Sequence, residues 1–376
     1  MLLKTKGITR GITTPIVGRV SFTGAANAEV LICDTPPPAL TPSYKAVLSK
    51  YDGQSAMPGV FLIPDFSHLS EGDIVVIHSD GVVTTQYRVN SVHNFLLFTE
   101  RCNSNCIMCS QPPRDRDDTD YFYNLYLQTI PLIPKDCIEL GITGGEPTLM
   151  GNRFFKLLAC IKESLPNTEV HCLTNGRSFA WTNVANKLGQ MEFKRLMLGI
   201  PLYSDYAPQH DYIVQAKNAF YQTMTGLYHL ARNNVRVELR IVLHKQTIPR
   251  LRQLSRFIYK NLPFAEHVTF MGLEHQGYTP HNIQQLWIDP LDYGRELAEA
   301  VTYLGDMGMN VSIYNSQLCV LPRELWGYAR KSISDWKNVY HEECGKCAVK
   351  EACGGFFASG VQQPSRGLSA VGFENQ

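Results

Sequence analysis

From Phe95 onward the chain alternates short β-type runs with amphipathic helical stretches, and this rhythm constrains the fold more than any other feature of its 376 residues. Six runs read as strands: NFLLFTE, CIELGIT, EVHCLTN, RLMLGIPL, VRVELRIVLH and HVTFMGLE. Helical stretches fall between them, among them NRFFKLLACIKESL, YIVQAKNAFYQTMTGLYHLARN and IPRLRQLSRFIYKNL. Parallel strands need a crossover connection, usually a helix, so a strand–helix–strand order predicts a parallel sheet flanked by helices. Residues 1–92 read differently. GVFLIP, DIVVIH and GVVTTQYRVN are short β-type segments broken by Gly, Asp and Pro, which predicts a small β-rich barrel or sheet domain.

Composition is that of a globular chain, 44% hydrophobic and 18% charged. A net charge of +1 argues against a broad electrostatic footprint for nucleic acid. There is no run of about 18 apolar residues to span a membrane. Lys4, Lys6 and Arg10 interrupt the N-terminal segment where a signal peptide would carry its apolar core. The expectation is a cytoplasmic protein, a setting where structural disulfides are rare. Eleven cysteines therefore need another explanation. Cys33, Cys137, Cys160 and Cys172 are scattered among apolar neighbours and read as small buried hydrophobes. The other seven form two groups: Cys102-x3-Cys106-x2-Cys109, and Cys344-x2-Cys347-x5-Cys353 with Cys319 upstream. Such spacings bring thiolates onto one centre, either zinc or an iron–sulfur cluster. The first group offers three thiols and no histidine on its C-terminal side, leaving a metal position open.

One strand later comes DCIELGITGGEPTLMG. Gly144, Gly145, Glu146 and Pro147 form a strand-ending turn in which the missing Cβ atoms allow close backbone approach. Glu146 and the backbone groups of that turn are candidates to receive an ammonium and orient a carboxylate. A Cx3Cx2C followed by a strand-borne GGEP resembles the radical S-adenosylmethionine (SAM) superfamily. That resemblance implies a partial (β/α)6 barrel. It implies that Cys102, Cys106 and Cys109 bind a [4Fe–4S] cluster whose fourth iron is chelated by SAM. One electron then cleaves SAM to methionine and a 5′-deoxyadenosyl radical, which abstracts hydrogen from the substrate. Gly144 to Pro147 would hold the methionyl amino end. The position before the last cysteine, often aromatic in the superfamily, is Met108, whose thioether could pack on adenine.

In barrels of this type the working residues lie at the C-terminal ends of the strands. That rule nominates Thr174 and Asn175 after the third strand, and Tyr203 and Ser204 after the fourth. It adds Arg240 in the fifth as a partner for the SAM carboxylate, and Glu274 and His275 after the sixth. Pro112 to Asp118 is a mixed-charge loop, solvated or placed to act as a lid. His281 and Trp287 have no readable role.

Cys319, Cys344, Cys347 and Cys353 add up to the ligand set of a second, auxiliary [4Fe–4S] cluster. They resemble the twitch or SPASM-like extensions that follow many radical SAM barrels; a zinc site with four cysteine ligands is the alternative. The domain expectation is thus 1–92 β-rich, 93–313 barrel, and 314–376 auxiliary region and tail. The tail from Gln362 is polar and expected to be mobile. The run FTERCNSNCIMCSQPPR resembles the radical SAM maturase of His-Xaa-Ser peptide systems. It implies hydrogen abstraction from a ribosomally made precursor peptide, with an electron donor such as a flavodoxin or ferredoxin, and a companion maturase, as partners. The alternatives are a radical SAM enzyme acting on a small molecule or nucleoside, and a non-catalytic iron–sulfur or zinc scaffold of a modification complex.

Overall fold

The computed structural model describes residues 3–24, 28–36, 44–52, 57–331 and 339–372. Its contacts divide the chain into two units. One comprises Met1–Phe98, Asp118–Ile142 and Asn152–Glu169, the other Thr99–Asp117, Thr143–Gly151 and Val170–Gln376. Among the described residues no helix is long and apolar enough to cross a membrane.

The first unit opens with eight short strands: β1 (Lys4–Lys6), β2 (Ile8–Arg10), β3 (Ile16–Ser21), β4 (Val30–Cys33), β5 (Ala46–Ser49), β6 (Gly59–Phe61), β7 (Ile74–Ile77) and β8 (Val82–Tyr87). They form one mixed sheet in the order β1-β8-β7-β3-β4-β5-β6-β2. Val20, Val30, Leu48, Val60, Val75 and Val83 are buried in its core. This is the β-rich sheet that the broken, β-branched runs predict. The unit continues with β9 (Asn94–Leu97), α1 (Thr119–Thr129), β10 (Glu139–Thr143) and α2 (Asn152–Ser164). Strands β9 and β10 are neighbours. Gly141 is required there, since a Cβ would lie 2.0 Å from the Phe95 ring. Helix α2 buries Phe154, Leu157, Leu158 and Ile161, the one-sided spacing of an amphipathic helix.

The second unit carries a parallel ladder of β11 (Glu169–Leu173), β12 (Leu196–Pro201), β13 (Arg236–Leu243), β14 (His267–Gly272), β15 (Val311–Tyr314) and β16 (Ala329–Arg330). Crossovers run through α3 (Thr182–Gln190), α4 (Ala207–Val214), α5 (Ala219–Arg232), α6 (Leu251–Asn261), α7 (Ile283–Leu286) and α8 (Gly294–Asp306). Because every pair is parallel, the loops after β11, β12, β13, β14 and β15 emerge on one edge. All six expected strands are present, and β15 and β16 extend the ladder past them. The helix expected over residues 212–233 is broken in two. Gln215 and Asn218 adopt left-handed backbone angles, φ 52° and 59°. The Asp211 carboxylate at the end of α4 accepts from the Asn218 and Phe220 amides at 2.6 and 2.8 Å, capping the next helix.

Candidate radical SAM site

The cysteine triplet lies in the loop that leaves β9, and the GGEP turn leaves β10. The turn is bonded to the loop: the Gly145 amide donates to the Thr99 carbonyl at 2.8 Å, and the Glu146 amide to that of Arg101 at 2.7 Å. What the glycines admit at close range is this loop itself. A Cβ on Gly144 would sit 2.6 Å from the Thr99 oxygen, and one on Gly145 2.1 Å from the Arg101 oxygen and 3.0 Å from the Cys102 Cβ.

Glu146 is fully buried, and four donors meet its carboxylate. The Thr148 amide (3.1 Å), the Thr148 hydroxyl (2.6 Å) and the Thr174 hydroxyl (2.7 Å) reach Oε1; the Asn175 amide reaches Oε2 at 2.6 Å. Four is about the acceptor capacity of a carboxylate. Three of these donors crowd Oε1 and one reaches Oε2, so Glu146 joins the end of β10 to the end of β11. Thr174 and Asn175, nominated separately from Glu146, turn out to be its partners.

Beyond them the sequence reading missed Arg177. Its guanidinium donates to the Ser104 hydroxyl at 2.9 Å, to Gln222 at 2.7 Å and to the Asn103 carbonyl. The Asn175 side chain reaches Asn103 at 2.6 Å. The residues between Cys102 and Cys106 are thus gripped by the segment after β11. The signal was in the sequence: Arg177 directly follows Gly176, whose left-handed φ of 76° turns the chain back toward the loop.

The three thiols are partly exposed and free of disulfides. Burial, then the Glu146 charge and the neighbouring Cys109, push Cys102 up to about 11. Burial followed by Cys109 and Cys102 pushes Cys106 higher still, and burial raises Cys109. Thiols that hinder one another's ionisation fit a site whose cationic group supplies the missing charge. Three thiols with one metal position left open are the donor set of a [4Fe–4S] cluster, so on the chemistry of its donors the triplet fits one.

The remaining nominees have partners of their own, and Met108 and Tyr203 share an apolar group with Cys106. Met108 is buried in an apolar group with Ile107, Tyr203, Ile213, Ala219 and Leu286. The Ser204 hydroxyl bonds Gln209 at 2.8 Å and accepts from the Tyr206 amide, holding the entry to α4. Arg240 pairs with Glu238 at 2.6 Å and touches the Met271 sulfur at 3.0 Å. Glu238 also meets His267 Nδ1 at 3.2 Å. Burial opposes its charge, but His267 and the Arg240 guanidinium outweigh it and hold Glu238 near 2. His171, 3.7 Å from that carboxylate, is pushed down to about 4 by burial and is neutral at pH 7. The charged loop at Pro112–Asp118 is stapled back: Glu100 pairs with Arg114 and Arg116, and Arg101 with Asp117. Glu274 is half-buried, His281 exposed, and His275 and Trp287 line a pocket.

Of the C-terminal cysteines, Cys319 and Cys344 feel their neighbours' charges. Burial, then Cys353 and Cys344, raise Cys319; burial, then Cys353 and Cys347, raise Cys344. The Cys353 sulfur accepts from the Leu318 and Gly355 amides at 3.4 and 3.5 Å. Gly355 turns the chain there with φ 64°, where a Cβ would lie 2.7 Å from the Val339 oxygen. The tail is held more firmly than its polarity suggests. Asp289 accepts from the Ser365 hydroxyl at 2.6 Å and the Arg366 amide at 2.9 Å. Residues 373–376 lie outside the described residues.

The family model that matches is the "Radical SAM superfamily", over residues 96–258. An uncharacterized protein of Methanocaldococcus jannaschii is 24% identical over 194 residues, 48% of this chain and 66% of its own length. Among solved structures, Streptococcus suis SuiB bound to S-adenosylmethionine matches at TM-score 0.46 and 15% identity, over 58% of this chain and 49% of that one. Coproporphyrinogen III oxidase of Escherichia coli, described as a radical SAM enzyme, matches at 0.44 and 15%, over 57% and 53%. The chain thus spans about half the length of these two structures and just under two thirds of the curated relative. The chain has an α/β fold with a parallel ladder, and the radical SAM superfamily is what the family model supports for residues 96–258.

Proposed function

We propose that this chain is a radical SAM enzyme that modifies a ribosomally made precursor peptide of the His-Xaa-Ser type. Residues 1–92, 93–313 and 314–376 would be its β-rich, barrel and auxiliary regions. Cys102, Cys106 and Cys109 would hold the [4Fe–4S] cluster that, when bound, supplies the electron for cleaving SAM. The observation that carries this reading is the binding of the triplet loop to the GGEP turn through Gly145 and Glu146. It joins the two motifs into one structure, and the segment at Thr174–Arg177 closes it. Backbone carbonyls of the turn would orient the amino group of SAM. Met108 and Ser204 would support the site through packing and through the α4 entry, and Arg240 would meet SAM only by leaving Glu238. The choice of a peptide rests on the run FTERCNSNCIMCSQPPR; a flavodoxin or ferredoxin as donor and a companion maturase go with it. The four C-terminal cysteines would hold an auxiliary [4Fe–4S] cluster.

Anaerobically reconstituted protein should form 5′-deoxyadenosine from SAM, and more of it with the precursor peptide. Cys106→Ala should lose this activity, whereas retained cleavage would overturn the site assignment. Turnover stimulated by a nucleoside or metabolite and not by peptide would move the substrate to the small-molecule class. An unchanged mass and fragment pattern in a coexpressed precursor would count against peptide modification.

A further inference from the structure

We infer that the pocket at the ends of β13, β14 and β15 selects an uncharged ring-bearing side chain of the polypeptide substrate, and that the segment from Phe356 to Ser365 is its wall. This rests on the reading above and names the substrate feature recognised. The pocket's enclosed volume is about 70 Å³, well below that of a site for a whole small ligand. Leu243, Gly272, Leu273, Asn315 and Ser316 form its base at three adjacent strand ends. Trp287, Ile288, Pro290 and Tyr293 close one side; Phe356, Phe357, Gly360, Gln363 and Ser365 close the other.

Its chemistry is selective. No Asp, Glu, Lys or Arg lines it. Its one titratable imidazole, His275, is shifted down by burial and so stays neutral. A carboxylate entering would lose hydration without a counter-charge, and the Asp289 carboxylate behind Ser365 is already paired with Ser365 and Arg366, so an ammonium gains little; either costs several kcal/mol. A flat neutral ring finds Trp287 and the two phenylalanines to stack on. Asn315, Gln317 and Gln363 can bond its polar edge.

Its position beside the triplet follows from the chain. From His275 at the pocket the backbone runs to Gly277, where a Cβ would lie 2.1 Å from the Cys109 oxygen, and to Tyr278, whose amide donates to that oxygen at 2.9 Å. Three residues span at most roughly 11 Å, so pocket and cluster loop are close neighbours. The wall is fixed at both ends. Gln317 donates to the Gly355 carbonyl at 2.8 Å, and Asp289 takes Ser365 and Arg366.

The test is a titration of the full-length holoprotein with synthetic His-Ala-Ser-His-Ala-Ser and its counterparts with Tyr, Lys or Glu in place of His. It is run near pH 8, above the ordinary imidazole pKa of about 6.5. The His and Tyr peptides should bind at least about tenfold tighter than the Lys and Glu peptides. Trp287→Ala should weaken His-peptide binding by roughly tenfold, about 1.4 kcal/mol. Asn315→Asp keeps the shape and adds a charge, and should raise the Lys-to-His affinity ratio by about tenfold. Equal affinities for all four peptides, or an unchanged ratio in Asn315→Asp, would overturn the inference. SAM cleavage by the wild type, scored separately, tells this failure from that of the enzyme reading: cleavage without peptide discrimination removes the pocket assignment alone.

Discussion

Around Cys102, Cys106 and Cys109, the polar groups answer to strand ends. Thr99 and Arg101 carbonyls take the Gly145 and Glu146 amides, and Glu146 in turn fixes Thr174 and Asn175. Around Cys319, Cys344, Cys347 and Cys353 there are single 3-10 turns such as Glu342–Lys346 and Lys350–Ala352, and one isolated bridge between Val339 and Phe356. The same residue type is therefore presented in two ways. The triplet loop is held by hydrogen bonds to the segments after β10 and β11. The quartet has little regular backbone of its own, so if the proposed auxiliary cluster is bound there it would contribute to the folding of this segment, as structural metals do in small domains.

The sharpest way to break this contrast is to remove iron. In chelated, reduced protein the amides of Cys344, Cys347 and Cys353 should exchange with solvent as an unfolded segment does. Those of Gly145, Glu146 and Asn175 should keep protection on the order of a thousandfold. Equal protection in the two regions, read by hydrogen-exchange mass spectrometry, would erase the distinction. A second probe acts on the triplet alone. Gly145→Ala forces a methyl group onto the Arg101 carbonyl, and iron per chain should fall to roughly half the wild-type value with SAM binding lost. Full iron content would show that the turn does not set the loop.

Acid gives the mildest test. Glu238 is held at about 2 in the fold against an ordinary value of 4.5. Its stabilisation is thus fully present above about pH 4.5 and fades as pH falls toward 2, by roughly 3 kcal/mol. Urea titrations across that window should show the acid limb flatten in Glu238→Gln. Protection at the triplet, which the ladder positions, should follow the limb, and protection at the quartet should not.

Much of this was legible in the sequence because it was written locally. Six strands and the triplet–GGEP order need only period and spacing. What escaped depends on which side chains pair, near or far in the chain. Arg240 carries the right chemistry for a carboxylate, and its partner in this structure is Glu238, two residues earlier on the same strand face. Residues 212–233 keep a helical apolar spacing, and only the Asp211 side chain reveals the break. A tail rich in Ser, Gln and Gly reads as loose until Asp289, 76 residues upstream of Ser365, takes its donors. The pocket is invisible for the same reason, since its two aromatic sides come from segments that share no pattern.

Gly145 and Gly277 stand 132 positions apart, yet each lays bare backbone against a carbonyl of the same short loop, Arg101 on one flank and Cys109 on the other. A loop pinned at both ends has spent its conformational freedom during folding. The three sulfurs then meet an incoming group with little left to order, so that group's binding energy is retained as affinity. The same two positions are closed to every side chain. Drift in this loop is therefore limited from outside it, at two sites that no scan of the cysteine motif would include.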